Sequence, residues 1–235
     1  MSFLEHLGEL RVRISRALLA IVLFFLIGWY YSRRIFSFFL APILPFLNGH
    51  KPVFLEITEP FLLYMKVALL AGIFAASPVI LYQLWAFISP GLYPGERKYA
   101  APFIVFSSLF FIGGGLFGYY VAFPYAARFL LSVAGDFEPA LTVRSLFQFE
   151  SKLILAMGLI FEMPVVIFLL AKVGIVTPAF LLHNFKYAVL IIFIAAAVIT
   201  PTPDIITQCV FALPMVGLYL LGLGASYLVR PRDRS

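Results

Sequence analysis

Six long apolar runs, broken by proline, glycine and charge, constrain this chain more than any other feature of it. They place spans at residues 14–33, 60–85, 99–125, 150–171, 178–199 and 205–228. A helix needs about 20 apolar residues to cross a hydrocarbon core of about 30 Å, and most of these runs reach that length. The composition leaves little alternative. Hydrophobic residues make up 63% of the 235 and charged residues 12%, about half the charged share of a soluble domain. So short a chain cannot hide that much apolar surface in one aqueous core, because much of any globular surface faces water. The expected fold is therefore all-α: a polytopic membrane protein with six transmembrane helices in one domain over residues 1–235.

The fifth span is the shortest. Tyr187–Ile199 has 13 uncharged residues and rises only about 20 Å as a helix, a length that an interfacial segment could share. Thr177-Pro178 ahead of it reads as a cap and first-turn proline, so the helix is expected to begin there. Thr58-Glu59-Pro60 gives the same kind of start to the second span. The loops at 32–59 and 126–152 are long. The first holds Pro42, Pro45 and Pro52, and a connection of that length without a domain of its own is usually functional or carries short helices.

Several function classes drop out. Cys209 is the only cysteine, and His6, His50 and His183 have no ligand spacing, so neither a disulfide nor a metal or other cofactor is expected. Glu5 and Glu9 in an N-terminal segment that runs on past Leu26 without an A-x-A-like site argue against a cleaved signal peptide. Arg33-Arg34 follows an apolar segment instead of preceding one. Nucleic-acid binding would need a basic face, and no aromatic-basic interleaving is seen. No catalytic set lies within the spans, so an enzyme is not expected.

Lysine and arginine set the orientation. Six spans put both termini on one side, with Arg11, Arg13, Arg16, Arg97, Lys98, Lys172, Lys186, Arg230, Arg232 and Arg234. The other side keeps the remaining seven of the 17 basic residues, including Arg33, Arg34, Lys51, Arg128 and Arg144. With three arginines just before the first span, both termini are expected in the cytoplasm.

Carboxylates in costly places carry the functional information. Glu162 lies within the apolar run Leu159-Ile160-Phe161-Glu162-Met163-Pro164. An ionised carboxylate at depth costs about 2.5–3.5 kcal/mol on insertion scales, so it is protonated, paired or facing a polar cavity. Glu9 and Glu96 belong to the side dominated by positive charge. For Glu9 the plain alternative is a helical pair with Arg13, and for Glu96 a helix N-terminus. Together they would suit a cationic ligand, and bidentate geometry would favour guanidinium over ammonium. Gly113-Gly114-Gly115 with Gly118 points to close helix packing. Asp204 reads as a helix cap with Gln208 one turn on, and Trp85 and Phe87 as interfacial aromatics.

These residues also fall into a known pattern. His6-Leu7-Gly8-Glu9-Leu10-Arg11, the run from Ser77-Pro78 through Phe87 to Glu96-Arg97, Phe161-Glu162-Met163-Pro164, and Thr200 to Gln208 resemble, in order and spacing, the signatures of the TatC family. The resemblance covers about Phe3 to Val229. It implies a glove-like concave bundle in the cell inner membrane that binds twin-arginine signal peptides of folded proteins. Glu9 and Glu96 would contact the arginine motif, with Arg11 and Phe87 on the same surface. Glu162 would form a polar site on the concave face, and Pro42, Pro78, Asp204 and Gln208 would serve structure or partner contact. TatA- and TatB-type single-span proteins would be partners, with possible self-association, and the proton-motive force would drive export. The absence of a phosphate-binding Walker loop fits that last expectation. A small proton-coupled secondary transporter using Glu162 remains the alternative, and would call for broken helices in paired halves.

Overall fold

A computed structural model describes residues 3–46, 52–88, 100–133, 141–200 and 204–228. Ten α-helices run through them: α1 Phe3–Tyr30, α2 Ser32–Leu40, α3 Glu59–Ile88, α4 Ala100–Phe117, α5 Phe123–Val133, α6 Val143–Phe161, α7 Met163–Lys172, α8 Pro178–His183, α9 Phe185–Ile199 and α10 Ile205–Tyr227. A 3₁₀ turn covers Leu44–Phe46, and a π-helical turn, Gly118–Ala122, joins α4 to α5. Among the described residues the only β pairing is an isolated bridge between Val53 and Thr142.

Four stretches are long and apolar enough to cross a membrane: Glu59–Phe87, Ala101–Val133, Val143–Lys172 and Ile205–Tyr227. The apolar part of α1 and the shorter Phe185–Ile199 complete the six-helix membrane architecture. Side chains on these helices point outward in numbers that water would not tolerate. Leu18, Leu19, Leu23, Leu26 and Ile27 of α1 are all more than half exposed, as a lipid-facing stripe requires.

The helices extend further than the apolar runs. Helix α1 runs from Phe3 to Tyr30, so it takes in the amphipathic stretch of Leu7, Leu10 and Ile14 leading into the expected span 14–33 and stops three residues short of that span's end. The loop expected at 126–152 shrinks, because α5 runs to Val133 and α6 starts at Val143. The loop at 32–59 carries α2 and the 3₁₀ turn. Polarity marks where a chain leaves lipid, and helices do not stop there. Trp85, expected as an interfacial aromatic, packs against the protein instead of facing outward. It is 3% exposed, its ring 4.7 Å from that of Phe103.

The chain divides into two compact units, Met1–Ile112 with Leu141–Gln148, and Gly113–Ala140 with Phe149–Ser235. In the first, α1 packs along α3. A Cβ on Gly28 would sit 2.9 Å from the Ala68 carbonyl oxygen, and one on Gly72 2.9 Å from the Phe25 nitrogen, so two absent side chains let the backbones approach. In the second unit Gly114 and Gly118 have the packing role expected of the glycine stripe, while a Cβ on Gly113 would meet nothing within 4 Å. A Cβ on Gly118 would lie 2.8 Å from Ile154 Cα. Helix α10 packs on α7, α8 and α9. Where α8 gives way to α9, the Leu181 carbonyl accepts a hydrogen bond from the Tyr219 hydroxyl at 2.9 Å.

Candidate functional site

Glu9 sits on α1 one turn before Arg13, and the pair expected from that spacing forms. Glu9 Oε1 accepts from Arg13 Nε at 3.0 Å and also from Nη2. Both side chains are about one-fifth exposed. The second oxygen, Oε2, is buried and has no hydrogen-bond partner among the described residues. That oxygen has unused acceptor capacity, but with almost no accessible surface it can take a further donor only where the packing over it opens. Arg11 is exposed and, two residues on along α1, projects from the other side of the helix. Phe87 is half-buried in the last turn of α3, while Glu96 lies outside the described residues.

Glu162 interrupts the fourth span. Helix α6 ends at Phe161 and α7 begins at Met163, with Glu162 as the residue between them and Pro164 at the start of α7. The break is repaired locally. Glu162 N–H donates to the Leu159 carbonyl at 3.2 Å, and its own carbonyl accepts from Val165 and Val166, each at 3.0 Å. Pro164 has no N–H to give the Ile160 carbonyl. The carboxyl is half-buried.

Pro78 lies inside α3. Its missing N–H would leave the Phe74 carbonyl open in an apolar environment, but Ser77 Oγ donates to that oxygen at 2.7 Å. Pro42 falls in the turn between α2 and the 3₁₀ segment, beside the almost fully buried Ile43. Asp204 caps α10 by accepting from Thr207 N–H at 2.6 Å. Gln208, one turn on, donates from Nε2 to the Phe193 carbonyl at 3.0 Å. That bond ties α10 to α9.

Two carboxylates stand out that spacing did not single out as sites. Glu59, read only as an acidic first-turn residue, is 7% exposed. Its carboxylate accepts from Leu55 N–H at 2.9 Å, Glu56 N–H at 3.4 Å and, 85 residues away, Arg144 N–H at 3.0 Å. It fastens the loop before α3 to the start of α6, where Val53 also exchanges backbone bonds with Leu141 and Val143. Bonds to backbone donors so distant leave no trace in sequence. Glu150 on α6 is fully buried, and neither of its oxygens has a hydrogen-bond partner among the described residues.

Comparison with known proteins places the chain. Residues 5–214 match the family described as Sec-independent protein translocase protein (TatC). The Sec-independent protein translocase protein TatC of Koribacter versatilis is 45% identical over 238 residues, spanning 100% of this chain and 88% of the relative. The protein of that name from Desulforapulum autotrophicum is 40% identical, spanning 98% and 86%. A crystal structure of the twin arginine translocase receptor TatC superposes with a TM-score of 0.78 at 37% identity, covering 95% of this chain and 98% of the other. Another, in DDM, gives 0.80 at 36% identity, covering 96% and 99%. The motifs at Glu9, Ser77-Pro78 and Glu162 lie inside the matched region, and the helices match along nearly the whole length. The chain belongs to the TatC family of Sec-independent protein translocase proteins.

Proposed function

We propose that this chain is the receptor of a twin-arginine export machinery, and that Glu9 and Glu96 grip the paired arginines of signal peptides on folded cargo. The observation that carries this is the state of Glu9. Arg13 occupies one carboxylate oxygen, while the buried second oxygen has no partner among the described residues. A guanidinium gains a charge-assisted bond there once the groups covering Oε2 move aside, and its planar fork can engage a second carboxylate at once. Ammonium can do the first and not the second. Arg11 and Phe87 border that surface in this reading.

Both termini face the cytoplasm in this proposal, supported by the excess of basic residues on their side and by the three arginines ahead of the first span. TatA- and TatB-type single-span proteins are the partners, meeting the chain near Pro42 and near Asp204 and Gln208, with the bilayer as the common medium. Glu162 supplies a polar site within the fourth span.

Binding of a labelled twin-arginine peptide to the purified protein tests the reading. Glu9→Ala and Glu96→Ala should each weaken binding about ten-fold or more, the scale of a lost charge-assisted bond, and a twin-lysine peptide should bind comparably worse. Equal affinity for the two peptides would remove the carboxylate grip as the mode of recognition.

A further inference from the structure

We propose that the outer end of α1 holds the headgroup of an anionic phospholipid, with one acyl chain lying along the seam between α1 and α3. The chain leaves α1 at Tyr30 and turns at once into α2. That turn encloses a hollow of about 790 Å³ whose walls include Trp29, Tyr31, Arg33, Arg34, Phe61 and Tyr64. Both arginines are exposed. No acidic residue lines the hollow, and neither arginine has a carboxylate in ion-pair range among the described residues. Two uncompensated guanidinium groups side by side select for net negative charge, and their forked donors suit phosphate oxygens.

The surroundings distinguish a lipid from a free anion. Tryptophan and tyrosine concentrate where hydrocarbon gives way to headgroups, and this hollow is ringed by them, directly beyond the lipid-facing stripe of α1. Against it lies an apolar groove of about 220 Å³ lined by Ile21, Val22, Phe25, Met65, Lys66 and Leu69. Phe25 joins the two, its ring centroid 6.2 Å from that of Trp29, which packs edge-on against Phe61 at 5.5 Å. Phosphate, glycerol and chain thus have consecutive places. Within a bilayer the groove's apolar walls add little preference, since lipid tails are as apolar, and Lys66 on its rim is a single ammonium without the forked donors of the arginine pair. Discrimination rests on Arg33 and Arg34.

The test uses the full-length protein in nanodiscs of phosphatidylcholine with increasing phosphatidylglycerol, read by quenching of Trp29 in a Trp85→Phe background with brominated lipids. Brominated phosphatidylglycerol should quench Trp29 at about thirty-fold lower mole fraction than brominated phosphatidylcholine, since each of the two arginines near a charged membrane contributes about 1 kcal/mol. Arg33→Gln with Arg34→Gln should bring the two lipids to within about two-fold. The charge-matched control Arg128→Gln with Lys152→Gln should keep the preference. Should the double arginine variant fail to fold, Arg34→Lys serves, with an intermediate preference expected. No preference in the parent protein, equal loss in the control, or an unchanged preference in the arginine variants would each overturn the proposal. So would inorganic phosphate displacing the brominated phosphatidylglycerol at millimolar concentration, which would identify a free-anion site.

Discussion

Glu56 and Glu59 stand three residues apart with the same charge and opposite structural roles. Glu56 makes an exposed ion pair with Arg144 at 3.6 Å, an arrangement worth at most about 1 kcal/mol. Glu59 holds three backbone N–H groups from two segments. Glu59→Ala is therefore expected to lower stability by about 2–4 kcal/mol and Glu56→Ala by less than about 1 kcal/mol. Thermal unfolding in detergent would rank the two, and hydrogen exchange at the Leu55 and Arg144 amides would speed up only for the first. Glu150 inverts the logic. Its carboxyl, buried without a partner among the described residues, weakens the fold it sits in, so Glu150→Leu should raise stability by about 1 kcal/mol or more. A clear loss in the same melt would mean that the carboxyl is bonded. Both residues also mark how far letters alone can be read. Glu162 was legible because it is a lone carboxyl inside an apolar run. Glu150 was hidden by its neighbours: beside Ser151 and Lys152 it looks like loop, and only the packing of α6 reveals that it points inward.

At the level of single helices, α3 offers the sharpest case. Its proline is compatible with a membrane helix because the preceding serine fills the vacancy at the Phe74 carbonyl. Ser77→Ala should cost about 1–2 kcal/mol. In a Pro78→Ala background, where the backbone N–H returns, the same change should cost less than about 0.5 kcal/mol. A double-mutant cycle in thermal unfolding measures the difference, and additive effects would show that serine and proline act independently. Helix starts written in cap chemistry were readable in advance. Thr177 caps α8 through Phe180 N–H at 3.1 Å, and Asp204 caps α10, although the single helix expected over 178–199 is broken at Asn184 into α8 and α9. The ends were not. Helix α5 continues past Arg128 to Val133, and α6 takes in Arg144 and Lys152, because a helix leaving lipid has no reason to unwind while its backbone bonds hold. The π-turn at Gly118–Ala122 also has no letter code; only the approach of Ile154 to Gly118 explains why small residues cluster there.

Across the whole molecule, the six-helix membrane architecture followed from apolar run length, and the division into two compact units did not, since its first boundary falls inside α4, between Ile112 and Gly113. The candidate residues were legible as motifs: Glu9 and Glu162 could be named, but that Oε2 of Glu9 is left without a partner among the described residues depends on Arg13 choosing the other oxygen. One element has consequences for the entire protein. Helix α9 has 15 residues and rises about 22 Å, some 8 Å less than a typical hydrocarbon core. In bilayers of increasing acyl-chain length, thermal stability should peak at short chains and fall by a fraction of a kcal/mol per Å beyond the match. A flat response across chain lengths would show that the segment is not exposed to lipid on its long axis. Where lipid does thin to meet α9, the membrane's insulating layer is also thinnest. The same voltage then drops over a shorter path, steepening the local electric field by about a third, so any charge moving beside this helix feels a stronger push per ångström than it would anywhere else along the chain.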